Sequence, residues 1–334
     1  MKPTALHSSQ HSDRQPGHQA EWGASGTEVL RRHGRSFYWA GQLLSGEQLS
    51  KAASLYSLCR GIDDLADDAL TQSEKVLAQQ KLSALDQALA ERCPPEGELG
   101  PVYLQAQQLL SGEPLALGAL RDMIATVQLD LQSVRVSSHR ELLQYAYGVA
   151  GTVGVMMTCL LHAREPSRAL PHAIDLGIAM QLTNIARDVV EDAQLGRVYL
   201  PSDGAAGTLA PGALVEGCSE SQHRAWRGVC ELLTLAERYY TSGWQGLGYL
   251  PFRARLAIAV AARVYREIGR QILRRGEQRY WQHRSVVNSA LKLRVSAKAL
   301  VQLMAEAMSH RQPAHDPSLH KGLDICLTHR QQRF

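Results

Sequence analysis

Cysteine pairs, aromatic rings, unbroken apolar runs and one-sided charge are scarce or missing in this chain, and each shortage removes a class of protein. None of the six cysteines stands in a CxxC pair, so neither a disulfide framework nor a cysteine zinc site is expected, and the thiols read as reduced. Only 6% of residues are aromatic, with three Phe. Ala and Leu abound instead, which favours helix over sheet. The formal net charge is a mild +4, and the basic residues are dispersed without interleaved aromatics, so nucleic acid is not an expected partner. Seven of the 13 histidines fall in the two terminal stretches (His7, His11, His18, His310, His315, His320 and His329). A histidine metal centre in the core is therefore not expected.

What is present is long helical periodicity. Residues 1–25, rich in Ser, His, Gln and Gly and lacking the apolar core of a secretory signal, read as a disordered leader. Residues 26–307 read as a single all-α domain, and 308–334 as a loosely attached polar, basic tail. Breaks are expected at "PPEGELGP" (94–101), "EPSRALP" (165–171) and "PSDGAAGTLAPG" (201–212). No stretch alternates apolar and polar residues as a half-buried strand does. From Leu142 to Ala163 no residue is charged, which is long enough to span a bilayer. Polar side chains dilute it, however, and Gly148, Gly151 and Gly154 recur along it, so a buried central helix is the expectation. The glycines suit close helix packing or a cavity wall.

Two acidic stripes carry the chemistry. In "AIDLGIAMQLTNIARDVVED", Gln181, Asn184, Asp188 and Asp192 fall on one helical face, in steps of 3, 4 and 4. In "LYSLCRGIDDLADD", Tyr56, Arg60, Asp63 and Asp67 repeat the arrangement in steps of 4, 3 and 4. Apolar residues flank both rows. Carboxylates four apart repel by a few tenths of a kcal/mol on a bare helix; a divalent cation between them reverses the sign. Mg²⁺ prefers carboxylate and phosphate oxygens, and Arg60 and Arg187 beside the acids offer forked donors to phosphate. Two such helices facing each other would make a magnesium cage for a diphosphate.

At these residues the chain resembles the squalene/phytoene synthase family of head-to-head prenyl transferases. The strings that carry the resemblance are "HGRSFYWAGQLL" (33–44), "LYSLCRGIDDLADD" (55–68), "YAYGVAGTVG" (145–154) and "LGIAMQLTNIARDVVEDAQLGRVYLP" (176–201), with "AARVYREIGRQILRRG" (261–276) fainter. The resemblance implies an all-α isoprenoid-synthase fold, a helical bundle around a deep central cavity, with Gly148, Gly151 and Gly154 as clearance for a long polyprenyl ligand chain. It makes Asp63, Asp67, Asp188 and Asp192 metal ligands with Asn184 assisting, and gives Tyr56 and Arg60 catalytic roles. Diphosphate and substrate would be held by His33, Arg35, Ser36, Phe37, Arg60, Tyr145, Gln181, Asn184, Arg187, Tyr265 and Arg284, with Arg197 and Tyr199 on a covering loop. Mg²⁺ is the implied metal, with Mn²⁺ as the other candidate.

Within the family, the 184–201 string most resembles the bacterial phytoene synthases. The smallness of Gly41, one turn after Phe37, favours C20 over C15 substrates, and no NADPH is then expected. Squalene or dehydrosqualene formation from two C15 diphosphates is the alternative; an assembly factor of the same fold, or a head-to-tail or cyclising terpene synthase, belongs to another class. Intact aspartates argue against the assembly factor, and the 176–201 string against the terpene synthase. The expected setting is cytoplasmic, with peripheral contact at the inner face of the cell membrane, as monomer or homodimer.

Overall fold

The structure, a computed structural model, describes residues 25–132, 134–307, 314–321 and 323. Apart from Ser25, the expected leader lies outside the described residues, as does much of the expected tail. Among the described residues there are helices and turns but no strand; one isolated bridge pairs Arg135 with Val198.

Local chemistry sets the helix starts. Short α1 (Gly26–His33) and α2 (Arg35–Gly41) precede α3 (Gly46–Asp67), which begins at a reciprocal cap between Ser45 and Gln48. Thr71 and Glu74 cap α4 (Gln72–Glu91) in the same way. Prolines in the first turn open α5 (Gly100–Leu110) and α6 (Pro114–Val127), where the missing N–H costs nothing. A tight 3₁₀ turn at Gln128–Leu131 follows α6.

The uncharged stretch expected as one central helix is three pieces. They are α7 (His139–Ala146), a wide π-type turn (Tyr147–Gly151) and α8 (Thr152–Leu160). Among the described residues no helix is long and apolar enough to cross a membrane. Its glycines are mainly packing devices. A Cβ on Gly148 would fall 2.0 Å from Thr126 Oγ1, and one on Gly154 would fall 2.2 Å from the Ala173 carbonyl. Only Gly154 of the three also reaches the cavity wall, which corrects their reading as clearance for a ligand chain.

The expected break at 165–171 is also corrected. Helix α9 (Pro166–Arg187) starts at Pro166 and runs through Pro171, an interior proline that leaves the Ser167 carbonyl without its usual i+4 donor. This helix is the axis of the molecule, buried on several faces by Ile174, Ile178, Ala179, Leu182, Ile185 and Ala186. Each large apolar side chain fully buried there contributes about 1.5–3 kcal/mol. Helix α8 packs on one side of it, and α12 (Ser219–Gln245) and α13 (Phe252–Tyr280) pack on others. Between α9 and α12 lie α10 (Val189–Gln194) and α11 (Pro211–Val215), and α14 (Ser289–Ala307) lies against α13.

Residues 314–321 are not loosely attached. Leu319 and His320 are buried, and Tyr239 donates to the Leu319 carbonyl at 2.7 Å. Two histidines assigned to a tail thus enter the core.

Candidate active site

The helices enclose a cavity of about 1120 Å³. That exceeds the ~300–1,000 Å³ usual for one small ligand and suits two long chains. Its walls are apolar, with Leu55, Met157, Leu176, Leu247 and Ala257 among them, while Asp63, Asp67, Asp188, Asp192, Arg60 and Arg187 gather on the same cavity.

Both stripes survive folding. Helix α3 brings Tyr56, Arg60, Asp63 and Asp67 to the wall. The second row crosses a helix break, since α9 ends at Arg187 and Asp188 leaves helical geometry at φ −110°, ψ 22°. The ladder nonetheless continues, from Asp188 N–H to the Asn184 carbonyl at 2.9 Å and from Asp192 N–H to the Asp188 carbonyl at 2.8 Å. Gln181, Asn184, Asp188 and Asp192 all line the cavity as a result.

The four aspartates divide into two kinds. Asp67 pairs with Arg197 at 2.5 Å. Asp188 is gripped by Arg187 and by Arg284, the latter at 2.8 Å. Burial works to raise the pKa of Asp188, but the Arg187 and Arg284 guanidinium groups outweigh it and hold the carboxyl below its usual value. Asp63 and Asp192 have no such grip. Burial, then the neighbouring carboxylates, push both well above the ordinary range, with Asp67 and Asp130 acting on Asp63 and with Asp188 and Asp67 on Asp192. The acidic rows therefore feel each other across the cavity. Arg60 pairs with Asp64 at 3.1 Å.

Asp130, in the 3₁₀ turn after α6, was not among the expected residues. It is buried and accepts from Tyr199 at 2.9 Å, and the Tyr145 hydroxyl lies 2.9 Å from its other oxygen. The Tyr145 and Tyr199 rings stack with centroids 4.6 Å apart. Arg197 also donates to the Asp130 carbonyl at 3.2 Å. Arg197 and Tyr199, expected on a covering loop, are buried at the cavity wall, where their polar ends satisfy Asp67 and Asp130. The only hint in the sequence was a lone acid in the otherwise uncharged run "MIATVQLDL".

Phe37 stacks on Tyr265 at 4.8 Å, and Tyr56 stands 6.2 Å from Phe37, so three rings line one part of the cavity. Burial first, opposed by Arg187, pushes the Tyr265 hydroxyl up to about 12. His33 reaches the wall, but Arg35 and Ser36 do not. Helix α2 starts at Arg35 and turns that side chain outward, where it is exposed. Arg284 is brought in by a break in α13 at Gly276, whose φ of +73° only glycine adopts without strain. Beyond it Tyr280 fixes the returning chain by donating to the Ala186 carbonyl at 2.8 Å. Glu191, also unexpected, lines the mouth.

An all-α bundle around an apolar cavity, with paired acidic rows and guanidinium groups gathered on it, defines an isoprenoid synthase of the prenyltransferase class. The family model described as squalene/phytoene synthase matches residues 30–292, and the chain belongs to that family. It is 34% identical over 292 residues to a 15-cis-phytoene synthase of Enterobacter agglomerans, covering 85% of this chain and 95% of that one. It is 33% identical to a 15-cis-phytoene synthase of a Paracoccus strain, covering 79% and 86%. A crystal structure of a dehydrosqualene synthase in complex with ligand superposes with a TM-score of 0.70 at 26% identity, covering 84% of this chain and 96% of that one.

This family is of the divalent-metal-dependent type, and the residues fit such an ion. Asn184 Oδ1 is buried with no hydrogen-bond partner, although its amide nitrogen contacts Gln181 at 3.3 Å. Asp63 and Asp192 carry acidity that burial and like charge suppress. A hard cation relieves all three.

Proposed function

We propose that the chain is a 15-cis-phytoene synthase, condensing two geranylgeranyl diphosphates head to head through a cyclopropylcarbinyl (prephytoene) diphosphate, with loss of two diphosphates. The observation that carries this reading is the pair of aspartate rows meeting on one large apolar cavity. Residues 26–307 act as one catalytic domain. Asp63, Asp67, Asp188 and Asp192, with Asn184, would hold Mg²⁺, which supplies charge neutralisation to a diphosphate leaving group.

The chain's own residues do the rest. Arg187 and Arg284, paired with Asp188, and Arg60, paired with Asp64, stand beside the acidic rows and would donate to diphosphate oxygens. An allylic cation left behind must meet an alkene before it meets water, and the walls from Leu55 to Ala257 exclude water. Phe37, Tyr56 and Tyr265 offer π faces to that cation, worth about 0.5–2 kcal/mol each. Tyr145 is kept neutral: burial, then Tyr199 and Asp130, drive its pKa far up. It therefore holds a hydroxyl proton and does not act as a base. Its hydrogen bonds fix Asp130 and Tyr199 under the mouth. Arg35 and Ser36 have no part in this cavity.

Diphosphate release from the C20 substrate tests the reading. Asp63→Asn and Asp188→Asn should each lower kcat by at least about 10²–10³-fold, the loss seen when one preorganised electrostatic contact is removed. Their circular dichroism should stay that of the parent. Folded variants with near-parental turnover would contradict the assignment.

A further inference from the structure

Asp175 sits in the middle of α9, fully buried and outside the cavity wall. Among the described residues no lysine or arginine is bonded to it. Its partners come instead from two distant segments. His315 Nε2 lies 2.8 Å from one carboxylate oxygen and His320 Nε2 lies 2.8 Å from the other. Ser242 of α12 donates to Asp175 Oδ2 at 2.5 Å. His172 in turn has Nδ1 2.8 Å from the Ser242 carbonyl and 3.1 Å from its hydroxyl. The rings of His315 and His320 are 4.5 Å apart, and His172 stands edge-on to His315 at 5.2 Å.

This is a two-layer arrangement. In the inner layer two imidazoles present the same atom, Nε2, to one carboxylate, and the three donor atoms all lie within 4.8 Å of one another. In the outer layer a hydroxyl orients the carboxylate and an imidazole orients the hydroxyl, as the supporting shell of a metal site does. Two nitrogens and one carboxylate oxygen form a donor set suited to Zn²⁺ and poorly suited to Mg²⁺. Ligands about 2.0–2.1 Å from a tetrahedral ion stand about 3.3 Å apart, a spacing between the 2.8 Å nitrogen–oxygen contacts and the 4.8 Å outer limit of the cluster.

We propose that Asp175, His315 and His320 form a second, structural metal site for Zn²⁺ that fastens residues 314–321 to α9 and α12, with water as the fourth ligand. On binding, each neutral ring moves its proton from Nε2 to Nδ1 and gives the Nε2 lone pair to the ion. The carboxylate stays ionised, so no net proton is released and nothing is oxidised. The site lies on residues apart from the acidic rows and does not depend on the function proposed for them.

The test uses the full chain, stripped with a chelator and then exposed to Zn²⁺ or Co²⁺ in excess Mg²⁺, which keeps the carboxylate cavity supplied with its own ion. The expected result is one equivalent of Zn²⁺ retained per chain through gel filtration. A rise in Tm on the order of 5 °C at saturating Zn²⁺ should accompany it. His320→Ala and His315→Gln should each weaken retention at least 10-fold and remove the Tm rise. Co²⁺ should give the visible band of a four-coordinate ion with nitrogen and oxygen ligands. The wild-type cobalt titration decides the matter alone where a variant does not fold. Retention below about a tenth of an equivalent, equal retention in wild type and both folded variants, or a cobalt–thiolate band would overturn the proposal. Asp175 would then be a hydrogen-bonded hub only.

Discussion

Replacing Arg197 with methionine probes the frame that holds the first acidic row. Arg197 is nearly enclosed, its side chain 10% exposed, and it pairs with Asp67, which is 26% exposed. It also donates to the Asp130 carbonyl, and its charge offsets the burial that raises Asp130. Removing one partner of a buried pair costs about 3–5 kcal/mol because the other charge is left uncompensated. Water at Asp67 reduces this, so about 2–4 kcal/mol is expected for Arg197→Met. At about 2.1 cal/mol/K of unfolding entropy per residue, a chain of 334 residues loses about 1.4 °C per kcal/mol, so Tm should fall by about 3–6 °C. The assay is thermal unfolding at neutral pH without divalent metal, followed by circular dichroism. Arg197→Met/Asp67→Asn should recover at least half of the loss, since the orphaned charge is gone. A fall below about 1 kcal/mol, or a double variant no more stable than Arg197→Met, would refute the reasoning.

Gly41→Leu should shift substrate preference. Gly41 lines the cavity and a Cβ there meets only the tip of Leu49, at 2.9 Å, so the added bulk is tolerated by the fold but shortens the space. C20 turnover should drop about 10–200-fold relative to C15, measured as the ratio of kcat/KM values. Glu237 of α12 binds Arg266 of α13 at 2.8 Å; burial works to raise its pKa, but Arg266 and then Arg270 win and depress it. A depressed carboxylate contributes stability that is present above its unfolded value and lost as pH falls through its folded one. Glu237→Gln should therefore lower Tm at neutral pH, with the gap to wild type closing below about pH 4, the unfolded glutamate range. Exposed Leu293, Val301 and Met304 on α14, with Lys292, Arg294 and Lys298 on the same helix, support the expected peripheral contact with anionic lipid. Flotation at low salt should recover the protein with anionic but not neutral liposomes; recovery with neither counts against that contact.

The acidic rows were legible because their spacing is a property of the helix itself. Asp63, Asp67, Asp188 and Asp192 needed only a 3.6-residue period to be placed together, and the break at Asp188 did no harm because the hydrogen-bond ladder bridges it. Partnerships across long stretches of chain were not legible in the same way. Asp130 looks like any isolated acid until Tyr199 and Arg197, 69 and 67 residues later, close on it. The same holds for His315 and His320, which composition assigned to a polar tail and which meet Asp175 across 140 and 145 residues. Gly148 shows a third limit, because glycine spacing cannot say whether the bared backbone receives a ligand or, as here, Thr126.

The central claim is product identity, and chromatography of hydrocarbons made by the purified protein tests it most directly. The protein would receive Mg²⁺ with C20 or C15 diphosphate, each with and without NADPH. The account predicts a C40 hydrocarbon from the C20 substrate, formed without NADPH. A C30 product alone would contradict it, indicating squalene where NADPH is required and dehydrosqualene where it is not; no product from either substrate would contradict the catalytic reading altogether.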